Sequence, residues 1–332
     1  MGSTHYISFP GLGIGPFEIN TVAFSLFGRN VAWYGVIICV GIILAFLYGE
    51  WRAKKNEGIS NDDYLDLAIF LIPISVICAR LYYVIFNWSE GGYNSFLDVI
   101  AIWRGGLAIY GAILGGFATI LVFSKIKKIK TLKLLDAIAP GVMIGQIIGR
   151  WGNFVNAEAH GGKTDLPWRM GISSAADGEA VCVHPTFLYE SLWNLIGFII
   201  VNFVYKKKKF DGQIFYLYIA WYGFGRGFIE MLRTDSLWLG NIRVSSALGF
   251  ICFFVGTALY IVSAKKARAR AAEGAEYENQ FGAQGGDGAE ITSNDGETAA
   301  QTTSESESIS DADNESRDSA TGVAEQQNND EK

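Results

Sequence analysis

The chain of 332 residues has few cysteines and long stretches without charge. Cys39, Cys78 and Cys252 fall within apolar stretches, and Cys182 lies between two such stretches. No pair has the spacing of a metal site, so we expect neither a bound metal nor a structural disulfide. The segment "GLGIG" at 11–15 does not follow a strand pattern, which argues against a dinucleotide site. We therefore expect no cofactor and no nucleic-acid partner.

Apolar residues make up half of the chain and lie in seven long blocks. The blocks lie near 31–49, 64–86, 105–124, 132–149, 185–205, 212–232 and 244–264. Most of them reach the ~20 residues that a helix needs to cross the hydrocarbon core of a membrane. The fourth block is short and contains Asp136 and Pro140, but the alternation of charge along the chain requires it. The pattern predicts an all-α integral membrane protein with about seven transmembrane helices.

Basic residues are concentrated in alternate connections between the blocks. They are Arg52, Lys54, Lys55, Lys125, Lys127, Lys128, Lys130, Lys133, Lys206, Lys207, Lys208, Lys209, Lys265, Lys266, Arg268 and Arg270. The positive-inside rule makes this side cytoplasmic, which predicts an outer N-terminus and a cytoplasmic C-terminus. Residues 1–30 then form an extracytoplasmic segment without the pattern of a cleavable signal peptide. Residues 31–270 form the membrane domain, with an outer loop at 150–184.

The last segment of the chain, 271–332, differs sharply from the rest in charge. It contains 16 acidic and 2 basic residues and is rich in Ser, Thr, Gly, Gln and Asn. Such a segment buries too little apolar surface to offset the entropy lost on ordering. We expect a disordered, acidic, cytoplasmic tail without a catalytic role.

Several ionisable residues occur where the predicted helices approach the outer leaflet. They are Arg150, Glu158, Glu190, Arg226, Glu230 and Arg233. The spacing of Arg226, Glu230 and Arg233 places them on one helix face. Ionisable groups at this depth are costly and usually face the interior of the bundle. They either pair with one another to hold helices together or bind an anion, and the planar fork of arginine suits the phosphate of a phospholipid headgroup.

The stretch "GRWGNFVNAEAHG" at 149–161 resembles the signature of the prolipoprotein diacylglyceryl transferases. Further stretches resemble the same family in the same order: "AWYG", "RGGLAIYGAILGG", "HPTFLYE" and the Arg-x-x-x-Glu-x-x-Arg pattern that begins at Arg226. Together they cover the membrane domain from about residue 31 to residue 264. The acidic tail lies outside the resemblance.

The resemblance implies the first step of lipoprotein maturation in the bacterial cytoplasmic membrane. A diacylglyceryl group would pass from phosphatidylglycerol to the lipobox cysteine of a preprolipoprotein that still carries its signal peptide. A thioether forms and glycerol phosphate leaves. Cations that hold the leaving phosphate more tightly as its charge develops lower the barrier. The nucleophile is a thiolate, so a group must accept or stabilise away the thiol proton.

The resemblance also implies roles for residues of the outer site. Arg150 is expected to bind the phosphate, with assistance from Arg226. Asn153 and Asn156 are expected to orient oxygen atoms of the headgroup or the glycerol. Glu158 is expected either to hold an arginine or to accept a proton. The remaining residues expected to contact substrate are Tyr34, Glu190, Glu230 and Arg233.

Tyr110 departs from the family pattern, because many members have a histidine there that is proposed as the base. Tyrosine ordinarily ionises only in alkaline solution and is a poor match for that task. Either the arginines tune Tyr110, or Glu158 acts as the base, or the positive field alone favours the thiolate. His160 and His184 are further candidates.

Two functions of other classes remain compatible with a polytopic chain that has inward-facing charges. A transporter of anions or lipids predicts internal repeats and polar residues at mid-depth on several helices. We find no convincing repeat, and the polar residues cluster toward one leaflet. A phospholipid-binding scaffold would bind the headgroup without chemistry. An assay of lipid transfer to a lipobox peptide separates these readings.

Overall fold

A computed structural model describes residues 3–89, 93 and 95–282. Helices dominate this part of the chain. They are α1 Trp33–Arg52, α2 Asn61–Phe86, α3 Phe96–Ile100, α4 Ile109–Ile126, α5 Thr131–Val155, α6 Thr186–Tyr205, α7 Gln213–Leu232 and α8 Val244–Gly282. Helix α8 therefore continues past residue 271, where the sequence predicted disorder, because the segment after Ala264 is rich in the good helix formers Ala, Lys, Arg and Glu. The rest of the predicted tail lies outside the described residues.

Six of the described helices are long and apolar enough to cross a membrane: α1, α2, α4, α5, α6 and α8. The first of them is extended by a π-helical turn, Ala53–Glu57. They agree with the predicted class of a mainly α-helical integral membrane protein. Helix α7 covers the sixth apolar block but is not among the six. It carries the polar residues Gln213, Arg226 and Glu230.

Short strands, which the sequence analysis did not predict, occur near the end of the helices that carries Arg150, called here the outer end after its predicted orientation. They are β1 Thr4–Phe9, β2 Ile14–Asn20, β3 Val22–Leu26, β4 Arg29–Ala32, β5 Met170–Ser173, β6 Val181–Val183, β7 Trp238–Leu239 and β8 Ile242–Arg243. Strands β1, β2, β5 and β6 form one antiparallel sheet in the order β2-β1-β5-β6. The other strands form two antiparallel hairpins, β3-β4 and β7-β8.

The four-stranded sheet joins the N-terminal segment to the loop between α5 and α6. Ile7 in β1 is opposite Ile172 in β5. Ile7 and Met170 pack with Val183 and with Phe187 of α6 in one buried cluster. Residues 3–30 and the loop 150–184 consequently lie at the same end of the helices.

Close approaches between backbones fix the helices that carry the polar residues. A Cβ on Gly141 of α5 would lie 2.7 Å from the carbonyl oxygen of Ala45 in α1. A Cβ on Gly223 of α7 would lie 2.5 Å from the carbonyl oxygen of Gly249 in α8. Small residues at helix crossings are typical of packing inside membranes, where van der Waals contact replaces the hydrophobic effect.

A buried ion cluster holds the helices together at the end opposite Arg150. The Lys208 ammonium lies 2.6 Å from Glu57 and 2.7 Å from Asp136, both of which are almost fully buried. Asp136 also accepts hydrogen bonds of 2.7 and 2.8 Å from the backbone amides of Gly212 and Phe215, where α7 begins. The cluster thereby ties the ends of α1, α5, α6 and α7 to one another.

Candidate active site

Three helices and one loop supply most of the predicted site residues. Helix α5 carries Arg150 and Asn153 in its last two turns, and α6 carries Glu190 in its first turns. Helix α7 carries Arg226 and Glu230 near its C-terminal end. The loop after α5 carries Asn156 and Glu158.

Glu190 lies at the centre of the site and contacts both predicted phosphate-binding arginines. It forms a close ion pair with Arg150, through Oε1 and Nη2. Its Oε2 accepts a hydrogen bond of 3.0 Å from Nη1 of Arg226. The Glu190 side chain is only 2% exposed, whereas those of Arg150 and Arg226 are 21% and 16% exposed. One buried carboxylate therefore holds two partly accessible guanidinium groups side by side.

Glu230 extends this network toward the end of α7. Its Oε2 lies 2.6 Å from Nη2 of Arg226 and 3.7 Å from Nε of Arg233. The sequence predicted one helical face for these three residues, but α7 ends at Leu232 and Arg233 has extended backbone angles. Arg233 still reaches Glu230, and its main partner is Asp235 at 2.7 Å. Partial burial on its own raises the pKa of Asp235, but the hydrogen bonds from Arg233 lower it below the usual value.

The loop after α5 holds Glu158 close to the two predicted asparagines. The Glu158 carboxylate accepts hydrogen bonds of 3.0 Å from Asn153 and 3.2 Å from Asn156. Asn153 in turn accepts a bond of 3.2 Å from Arg150. A continuous chain of polar contacts therefore runs from exposed Glu158 to buried Glu190.

The backbone of this loop explains how Glu158 is positioned. The amide of Ala157 donates to the Phe154 carbonyl and that of Glu158 to the Asn153 carbonyl, which is the Schellman pattern at a helix end. This pattern requires a left-handed residue directly after the cap, usually glycine, yet here it is Ala157 with φ 51°. Ala159 is also left-handed, with φ 56°. Left-handed alanine costs roughly 1–2 kcal/mol, so strain is concentrated on both sides of Glu158.

Tyr34 and Tyr110 occupy different surroundings at the outer end. Tyr34, in the first turn of α1, packs its ring against Gly152, where a Cβ would lie 2.7 Å from the ring. This places the ring beside the turn of α5 that carries Arg150. The Tyr110 hydroxyl lies 3.0 Å from the Ser245 hydroxyl in the first turn of α8. Among the described residues, no hydrogen bond joins Tyr110 to Arg150 or Arg226.

The two candidate histidines contact local partners. Nδ1 of His160 lies 3.0 Å from the Gly161 carbonyl oxygen. Nδ1 of His184 lies 3.3 Å from the Tyr189 hydroxyl. The Gly161 amide donates to the His184 carbonyl, so the backbone after the signature stretch is joined to the start of α6.

Arg243 is a positioning residue that the sequence analysis missed. Its Nη1 donates hydrogen bonds of 2.6 Å to the Glu230 carbonyl and 2.9 Å to the Arg233 carbonyl. It therefore holds the end of α7, where Glu230 and Arg233 lie. An arginine between two apolar blocks on the side that is poor in basic residues was the signal that could have identified it.

This arrangement suits an anionic group presented at this end of the helices. Each guanidinium has several N–H donors in a plane, and the contacts to Glu190 and its neighbours use only part of them. Two such groups held by one carboxylate are preorganised, so little reorganisation is needed when a phosphate binds.

Comparison with known proteins agrees with this geometry. The family model for prolipoprotein diacylglyceryl transferase matches residues 21–262. A phosphatidylglycerol–prolipoprotein diacylglyceryl transferase of Clostridioides difficile is 44% identical over 248 residues, which are 75% of this chain and 97% of the relative. A protein of the same name from Listeria welshimeri is 42% identical over 256 residues, 75% of this chain and 92% of the relative.

A third relative of that name, from Lysinibacillus sphaericus, is 44% identical over 248 residues. These residues are 72% of this chain and 90% of the relative. The matched region contains the whole outer network, from Tyr34 to Arg243, and ends before the acidic tail. The chain belongs to the prolipoprotein diacylglyceryl transferase family.

Proposed function

We propose that this chain transfers the diacylglyceryl group of phosphatidylglycerol to a cysteine thiol of a prolipoprotein. Membership of the family makes it a transferase of lipoprotein biosynthesis and a multi-pass protein of a bacterial membrane. The observation that carries the proposed chemistry is the pair of guanidinium groups held together by Glu190. The acceptor we propose is the lipobox cysteine of a preprolipoprotein that retains its signal peptide.

The proposed reaction is a displacement at the carbon of the diacylated glycerol that is bonded to the phosphate oxygen. A carbon–sulfur bond forms, the carbon–oxygen bond breaks, and glycerol phosphate leaves with the bonding electron pair. Negative charge grows on the leaving phosphate, and Arg150 and Arg226 bind it more tightly as it grows. Interactions that strengthen in the transition state are those that accelerate the step.

Glu190 and Glu230 are proposed as positioning residues for the two arginines. Both carboxylates contact the Arg226 guanidinium, and each side chain is only 2% exposed. Asn153 and Asn156 are proposed to orient oxygen atoms of the lipid headgroup or glycerol. Tyr34 is proposed to line the cavity that the lipid occupies.

Glu158 is our preferred acceptor of the thiol proton. It is exposed and is connected to Arg150 through Asn153. Tyr110 lies outside this chain of contacts, and its hydroxyl pairs with that of Ser245. This favours a structural role for the Tyr110 hydroxyl over that of a base. A proton acceptor must come within hydrogen-bond reach of the thiol, and the loop at Glu158 borders the outer surface.

The proposed topology has seven spans, with α7 as the additional one. Helix α7 packs closely on α8, and its polar face carries the site, so its neighbours shield these groups from lipid. The N-terminus and the loop 150–184 are proposed to lie outside, and the C-terminus with its acidic tail in the cytoplasm. The basic connections at 125–133 and 206–209 support this orientation.

Transfer to a synthetic acceptor tests the function. The full chain, purified into phosphatidylglycerol vesicles, is incubated with a peptide that carries a signal sequence and a lipobox cysteine. We expect the peptide to gain the mass of a diacylglyceryl group, with release of one glycerol phosphate per peptide. A peptide with serine in place of the cysteine is the matched control and stays unmodified. Lipid binding or lipid movement without this mass gain would favour a scaffold or a transporter.

Labelling of intact cells tests the topology. A membrane-impermeant reagent is expected to label a probe placed at 172–180. The lysines at 125–133 and 206–209 are expected to remain unlabelled until the membrane is opened. The reverse pattern would place the site on the wrong side for an exported acceptor.

A further inference from the structure

A polar cavity of about 370 Å³ lies at the end of the bundle opposite Arg150. Four of its lining residues are lysines: Lys133, Lys206, Lys208 and Lys209. The carboxylates that line it belong to Glu57 and Asp211. The function proposed for the outer end makes no use of this cavity.

The carboxylates of the cavity are already occupied. Glu57 accepts two hydrogen bonds of 2.6 Å from Lys208 and one of 2.7 Å from Tyr205. Asp211 lies 3.2 Å from Lys130, a residue outside the cavity. These pairs leave little free negative charge at the mouth of the cavity.

The lysines at the rim, in contrast, keep their positive charge available. Lys206 and Lys209 are exposed, and among the described residues no ion pair reaches either of them. Lys133 donates to a backbone carbonyl, that of Glu57, at 3.3 Å. The cavity thus presents three ammonium groups that carboxylates do not neutralise, and a phosphate group is the ligand that this charge fits.

The location of the cavity favours a lipid phosphate over one dissolved in water. Lys206 directly follows the membrane-spanning helix α6, and its ammonium lies 5.5 Å from the centre of the Phe203 ring. That ring is 65% exposed on the apolar surface of the helix. Basic pockets between helix ends at the cytoplasmic surface are typical sites for anionic lipid headgroups. We propose that this cavity binds the phosphate headgroup of an anionic phospholipid of the adjacent leaflet, as a second lipid site separate from the outer one.

Native mass spectrometry of the full chain with phosphatidylglycerol tests the proposal. The Arg150→Ala background is used so that binding at the outer site is weakened. We expect Lys206→Ser/Lys209→Ser to weaken retention of the lipid by about 30-fold, since each lysine near an anionic lipid contributes roughly a factor of five. Phosphatidylcholine, whose headgroup has no net charge, is expected to be retained weakly by both proteins.

The matched control is Lys125→Ser/Lys207→Ser, which removes two exposed lysines from the same end but outside the cavity. This variant is expected to retain phosphatidylglycerol as the background does. An equal loss in both double variants would overturn the site. Displacement of the lipid by inorganic phosphate at millimolar concentration would overturn its assignment to a lipid. Neither outcome bears on transfer, which the peptide assay measures separately.

Discussion

Two buried ion clusters lie near opposite ends of helix α5, and they differ in what their cations can still bind. Asp136 and Arg150 are fourteen residues apart on this helix, or about 21 Å at the helical rise per residue. Around Asp136, the Lys208 ammonium is enclosed by two carboxylates. Around Arg150, one carboxylate is shared by two arginines, and both remain partly exposed.

The type of cation explains the difference. A lysine ammonium is a compact charge, and two close carboxylates use its N–H donors. One of these carboxylates, Asp136, is itself held by two backbone amides. A guanidinium has five N–H donors in a plane, and the contacts of Arg150 with Glu190 and Asn153, or of Arg226 with Glu190 and Glu230, use only some of them. A buried ion pair alone therefore does not identify a binding site. A cation whose ion pairs leave N–H donors unused does.

Arg150→Ala tests the outer cluster and is the substitution with the largest expected effect. It removes the proposed donor to the leaving phosphate and leaves Glu190 with Arg226 alone. We expect kcat/KM for transfer to fall by about 10²–10³-fold, since this is the usual cost of one lost donor to a developing anion. The protein level in membranes and its melting in detergent are expected to stay near those of the wild type. Transfer within tenfold of the wild type would remove Arg150 from the chemistry.

Lys208→Met tests the other cluster, where we expect lost stability with little change in chemistry. The substitution leaves Glu57 and Asp136 buried without their cation, which costs about 3 kcal/mol in comparable pairs. Melting in detergent is expected to drop, while kcat/KM per folded molecule stays near the wild-type value. A fall in kcat/KM with an unchanged melting temperature would show that this cluster contributes to transfer and not only to stability.

The pH dependence of stability sharpens the same test. Partial burial on its own lowers the pKa of Lys208, but hydrogen bonds to Asp136 and Glu57 raise it above its usual value. A raised pKa means that the contribution is complete below the unfolded-state value of about 10.4 and is lost as the pH rises through the folded-state value. The difference in melting between the wild type and Lys208→Met is therefore expected to shrink as the pH rises above the unfolded-state value of about 10.4.

Tyr110→Phe asks whether a residue of the outer end that lies apart from the arginine chain contributes to chemistry. The change removes the hydroxyl that pairs with Ser245 and keeps the ring. We expect less than about a tenfold loss in kcat/KM, the equivalent of one hydrogen bond. A tyrosinate base would instead cost about 10²–10⁴-fold and would give a rate that rises with pH. Tyr110→His would then shift that rise toward neutral pH.

Much of the helical fold could be predicted from the sequence. The apolar blocks match the long helices because a membrane span needs a run of about twenty apolar residues. The pairing of β1 with β5 was missed, since both strands are short and more than 150 residues of chain separate them. No local pattern records such a pairing, so the sheet over the site emerges only in the folded chain.

The sequence named candidate residues of the site but not the contacts between them. Motif spacing placed Arg150, Glu190 and Arg226 near one leaflet, yet nothing in it indicated that Glu190 bridges the two arginines. The partner of Tyr110 lies on α8, 135 residues later, and was equally out of reach. Which side chains come into contact depends on how α5, α6 and α7 pack, and the spacing of residues along the chain does not determine that packing.

Ala157→Gly is the substitution with the smallest expected effect. Glycine removes the cost of a left-handed alanine, roughly 1–2 kcal/mol, but the unfolded chain gains entropy that offsets about 0.4–1 kcal/mol. We expect a slight rise in melting temperature and unchanged kcat/KM, provided that Glu158 keeps its contacts. A marked loss of transfer with normal melting would show that rigidity of this loop is needed for the reaction.

The measurement that most directly tests the central claim is the transfer rate of Arg150→Lys beside that of Arg80→Lys. Arg80 is a buried arginine whose donors bind carbonyl oxygens of Asp98, Val99 and Gly105 at 2.7–2.8 Å. Lysine keeps the charge at both positions and removes the planar fork. We expect Arg150→Lys to lose about 10²-fold in kcat/KM with an unchanged melting temperature. Arg80→Lys is expected to melt at a lower temperature and to keep its kcat/KM per folded molecule. Wild-type kcat/KM in Arg150→Lys would contradict the claim that a guanidinium held by Glu190 binds the donor phosphate.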